Sequence, residues 1–112
     1  MDFAKMCEEV KTLQFREKRF DSPDFFEFVI RKEQVQKLDP ILRRYFGPPF
    51  KLAGEPLQGG PAEFLEGVGG IRRDQTLYFL ESADKIFYTM IWPWGDRVNV
   101  TVKMAQCPRS KK

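Results

Sequence analysis

The sequence predicts an α+β domain in which two helices pack on a mostly antiparallel sheet, in the order α, β, β, α, long loop, β, β, β. Three observations predict it. Residues 2–13 and 33–46 space their apolar side chains at helical steps of three and four. Several other segments are short, aromatic or β-branched, and bounded by Pro, Gly, Asp or Ser, as strands are. A chain of 112 residues that is 42% hydrophobic holds one core and not two, so residues 1–112 form a single domain.

Taken in order, Phe3, Met6, Cys7, Val10 and Leu13 line one side of a first helix that Asp2 can cap. Phe15 to Phe20 and Phe25 to Ile30 flank the turn sequence Asp21-Ser-Pro-Asp24 and read as a hairpin. Pairing Phe20 with Phe25 sets Lys18 opposite Glu27 and puts Phe26, Phe28 and Ile30 on one face. From Glu33 to Phe46 a second helix spaces Val35, Leu38, Ile41, Leu42, Tyr45 and Phe46 at helical steps and stops at Gly47, with Pro40 either kinking it or restarting it after Asp39.

Residues 47–70 then hold seven of the eight glycines and four of the eight prolines. Loops beyond about 12–15 residues without regular structure are usually functional or disordered. Thr76 to Glu81, Ile86 to Trp92 and Arg97 to Met104 form a C-terminal three-stranded meander. Pairing Glu81 with Ile86 and Trp92 with Val98 collects Leu77, Tyr88, Met90, Trp92, Val100 and Val102 on one face, the expected main core. Tyr78, Leu80, Phe87 and Ile91 on the other face are too apolar for water, so a helix or the loop covers them, or a second copy in a homodimer. Residues 108–112 read as a disordered basic tail.

The composition removes whole chemistries. With no histidine the chain lacks the usual general base and nitrogen metal ligand. Cys7 and Cys107 stand at opposite ends, far from zinc or redox spacing, so neither a metal nor a cofactor is expected. No stretch resembles a leader or a membrane span, and the chain reads as cytoplasmic with reduced thiols. A net charge of +3, spread so that residues 47–70 are negative and three of the last four residues basic, makes nucleic acid an unfavoured partner.

The motifs are few. Gly67-Val-Gly-Gly-Ile-Arg72 begins like a phosphate loop, but it leads into a strand and lacks the lysine and the helix N-terminus such loops need. Ser82-Ala-Asp-Lys85 satisfies an SxxK pattern on a turn that cannot hold the catalytic geometry. In Trp92-Pro-Trp-Gly95 the second indole falls at a hairpin tip, either packed down or anchoring a partner.

Since the start of the first meander strand and the second hairpin share one end of the sheet, the sequence places Arg72, Arg73 and Trp94 together. Phe64 is an apolar contact from the loop, in a site for an anionic or aromatic group. The expected function is a non-catalytic binding or adaptor module, not an enzyme. The alternative is a small-molecule or nucleotide-binding protein that closes loop 47–70 as a lid.

Overall fold

In the computed structural model, which describes residues 1–56 and 71–109, the first amphipathic stripe folds as α1 (Phe3–Val10), with the Asp2 carboxylate accepting the Lys5 N–H at 3.0 Å as its N-cap. The helix stops short of the residue 13 that periodicity suggested, yet Leu13 and Phe15 still pack on the core it starts. A hairpin follows, β1 (Glu17–Asp21) and β2 (Phe25–Arg31). After a 3-10 turn at Lys32–Gln34, α2 (Val35–Phe46) runs unbroken through Pro40 to Gly47, whose φ of 81° suits glycine. The meander is β3 (Thr76–Glu81), β4 (Lys85–Pro93) and β5 (Asn99–Pro108).

All five strands form one antiparallel sheet in the order β1-β2-β5-β4-β3, so the hairpin adds to the last strand of the meander. Ser22 and Ser82 build their turns alike: each backbone N–H donates to the carbonyl three residues on, and each hydroxyl accepts that residue's N–H. The Ser82 hydroxyl of the SxxK string is therefore a turn element.

Two registers differ from the sequence expectation. In the first hairpin Phe20 faces Glu27 because the serine turn lengthens the connection, and Lys18 faces Phe28 because a bulge at Arg19 takes back part of that shift. In the meander Glu81 does pair with Ile86, but Trp92 pairs with Thr101 and not with Val98. The turn from Trp94 to Val98 is held by the Asp96 carboxylate, which accepts the N–H groups of Val98 and Asn99, and β5 starts only at Asn99.

A slip by an odd number of residues exchanges faces. Val100, Val102 and Met104 thus join Tyr78, Phe87 and Ile91 in the main core, beside Phe26, Phe28 and Ile30 and under Met6, Val10, Leu38 and Leu42 of the helices. Burial among three strands alone favoured the other register; the helices' apolar stripes and β2 decide for this one. The face expected to hold the main core carries instead a smaller cluster of Leu77, Ile86, Tyr88, Met90 and Ala105. The apolar face that suggested a homodimer is covered by the chain's own helices.

Cys7 lies in the main cluster and Cys107 packs on the smaller one, and both are free thiols with the sheet between them. Burial pushes the Cys7 thiol up to about 11. Pro108 belongs to β5, and Arg109 donates its N–H to the Asp84 carbonyl and pairs with Glu81 at 3.0 Å, so these two residues are ordered where a disordered tail was expected, and residues 110–112 lie outside the described residues. Among the described residues no helix is long and apolar enough to cross a membrane.

Candidate functional site

The helices occupy one face of the sheet, which leaves the other to carry polar and aromatic side chains at its β1-β2-β5 side. Along β2 and β5, Glu27 sits directly opposite Lys103, whose ammonium lies 3.8 Å from the Trp92 ring centroid. The bulge re-aims Arg19 onto this face, within ion-pair reach of Glu27 at 3.6 Å. From the end of β4, Trp94 leans across β5. Its indole N–H donates to the Thr101 hydroxyl at 2.8 Å, and the Arg19 guanidinium stands 5.6 Å from its ring centroid. The ring is fixed by two partners and remains 37% exposed.

The chain segments of three further basic residues converge at this corner. The Arg16 N–H donates to the Val29 carbonyl and the Lys32 N–H to the Val98 carbonyl, so the ends of β1 and β2 are tied beside the β4-β5 turn. Arg97 lies in that turn with φ 61°. Arg16, Lys32 and Arg97 have no carboxylate partner among the described residues, whereas Arg19 and Arg31 pair with Glu17 and Glu33. Asp96 is the nearby acid, and its carboxyl is held below the usual range by the Asn99 and Val98 N–H groups, with the Arg16 charge adding to them.

The residues the sequence assigned to the site divide. Trp94 is at the corner. Arg72 and Arg73 precede β3, on the far side of β4 from the strands Trp94 leans over, and none of Trp94's polar or ring contacts reaches them. Arg72 pairs with Asp74 at 3.4 Å, and Arg73 donates to the Gly54 carbonyl at 3.1 Å. Phe64 lies outside the described residues, as does most of the glycine-rich string before Arg72.

Arg73 belongs to the neck of the long loop. Lys51 bridges to Leu77 at the edge of β3, and the Gly54 N–H returns to the Arg73 carbonyl at 2.7 Å. The Lys51 ammonium is buried against the carbonyls of Leu52, Arg73 and Gln75. The base of the expected lid is therefore pinned.

Sequence reasoning missed Arg16, Arg19, Lys32 and Arg97. They are scattered along the chain, and their segments come to the corner of Trp94 only because β2 pairs with β5, a contact that no local pattern announces. The one local signal was Asp96-Arg97 in a turn, where a left-handed residue is common. Comparison with known proteins finds no matching family model, no matching curated protein and no matching solved structure. The arrangement itself defines a class: an α+β domain that presents on its helix-free face a half-exposed tryptophan held by a threonine hydroxyl and an arginine.

Proposed function

We propose that the protein is a non-catalytic binding module that docks an acidic protein partner through the corner built on Trp94. The observation that carries the reading is a half-exposed indole under the Arg19 guanidinium, at a corner where the chain segments of Arg16, Lys32 and Arg97 converge, these three being without a carboxylate partner among the described residues. Tryptophan and arginine are the residue types that dominate interface hot spots, and the Thr101 hydrogen bond pre-organises the indole, lowering the entropy cost of docking. That the module is not an enzyme rests on the absence of histidine and on the Ser82 hydroxyl being spent in its turn. The two unpaired thiols fit a cytosolic setting.

The test is quantitative capture from an extract of the protein's own cells on the immobilised wild type and on the triple variant R16E/K32E/R97E, at low and at high salt. The reading expects a protein species held by the wild type at low salt, weakened by salt, and lost in the triple variant. Equal capture by both, or retention of oligo-deoxythymidylate in place of protein, would overturn it.

A further inference from the structure

Behind the neck of the loop, on the helix-covered side, α2, β3 and the segment from Pro49 to Leu52 enclose an open groove of about 350 Å³. This is at the small end of the range ligand sites occupy, about 300–1,000 Å³. Val35, Pro49, Leu52 and Ile91 give it apolar walls, and Leu52 is 48% exposed there.

The polar end is a chain of three side chains. Tyr78, 2% exposed, donates its hydroxyl to Asp39 Oδ1, and Asp39 Oδ2 accepts Arg43 Nε at 2.8 Å. Burial, then the Asp39 carboxylate, push the Tyr78 phenol well above its ordinary pKa, so it stays a donor. Each oxygen of Asp39 thus accepts one bond, whereas Arg43 spends only Nε. Its two terminal nitrogens have no partner among the described residues, and the side chain is 47% exposed. The acceptor side of the ion pair is engaged while its donor side stands open, at one end of an apolar trough.

We infer that this groove binds a small organic monocarboxylate, with the carboxylate on the terminal nitrogens of Arg43 and an apolar body between Val35, Pro49, Leu52 and Ile91. A guanidinium fork matches a carboxylate with two parallel N–H···O bonds. An amine would meet the like charge of Arg43 at that end, beside an aspartate whose charge Arg43 already offsets.

The experiment uses the full chain and follows backbone amide resonances while hexanoate or hexylamine is added. Hexanoate shifts resonances of α2, β3 and residues 49–52; hexylamine, of the same length and opposite charge, does not. R43Q weakens hexanoate binding at least about tenfold, R43K less, and L52S, an exposed change that spares the fold, weakens it by shortening the trough. The triple variant R16E/K32E/R97E binds hexanoate as the wild type does, which separates this site from the Trp94 corner. Equal shifts from hexylamine and hexanoate, shifts elsewhere on the molecule, no hexanoate binding up to its solubility limit, or unchanged binding in R43Q and L52S would each overturn the inference.

Discussion

Lys51 is 2% exposed, and among the described residues no carboxylate pairs with it, although the charges of Glu55 and Asp74 act on it. Burial pulls its pKa down, yet each of its three protons meets a carbonyl: Leu52 at 3.0 Å, Arg73 at 2.8 Å, and Gln75. A buried ammonium is tolerated when hydrogen bonds replace its water, and the carbonyls in turn depend on it. Lys51→Met keeps the apolar stem and removes all three donors. Its expected cost is about 3 kcal/mol in urea denaturation, the figure for losing charge-assisted bonds and leaving carbonyls unpaired. A neutral or stabilising result would show that the neck does not rest on this residue. In the sequence Lys51 was legible only as the lone positive charge of the loop, because its partners lie up to 24 residues away and are backbone atoms that no residue type encodes.

Between elements, Glu9 fastens α1 to α2. Its carboxylate accepts the Tyr45 hydroxyl and the Arg44 guanidinium, and these bonds, Tyr45 first, hold its pKa below the ordinary carboxylate value. A carboxyl whose pKa is depressed in the folded state adds stability above the unfolded-state pKa, near 4.5, and loses it as pH falls through the folded value. Glu9→Gln is therefore expected to be less stable than the wild type at pH 6, with the gap closing below the unfolded-state pKa, as followed by thermal unfolding. A gap that stays constant through the acid range would contradict the clamp.

The elements themselves were largely legible: periodicity of three and four in α1 and α2 reflects one-sided burial, and the aromatic and β-branched runs of β2 and β4 mark strands, β4 being buried on both faces of the sheet. Ends and registers were not. The Arg19 bulge and the Asp96 cap are single-residue devices that shift pairing without altering the hydrophobic pattern.

Across the whole molecule, the pairing of β2 with β5 sets Phe25 opposite Ala105 and so joins the two ends of the chain. That pairing brings the segments of Arg16, Arg19 and Lys32 from one half of the sequence to the turn of Trp94 and Arg97 from the other. Charge counted segment by segment could not reveal the corner; Trp94 was found because a large aromatic at a hairpin tip is conspicuous by itself. Arg72 and Arg73 were placed by the correct inference that the head of β3 and the β4-β5 turn share an end of the sheet. The indole, however, leans towards β1 and away from β3.

Arg97 gives the most direct access to the binding reading, because it is the one non-glycine residue with positive φ among the described residues, at 61°. A left-handed backbone costs a residue with a Cβ about 1 kcal/mol, and glycine would relieve it. If the corner is a docking site, the strain is retained for the cation. The deciding measurement is Arg97→Gly, with stability by chemical denaturation and partner capture read on the same preparation. The account predicts a gain of about 0.5–1 kcal/mol in stability together with a several-fold loss of capture. Capture at the wild-type level, or a loss of stability on removing the arginine, would contradict it.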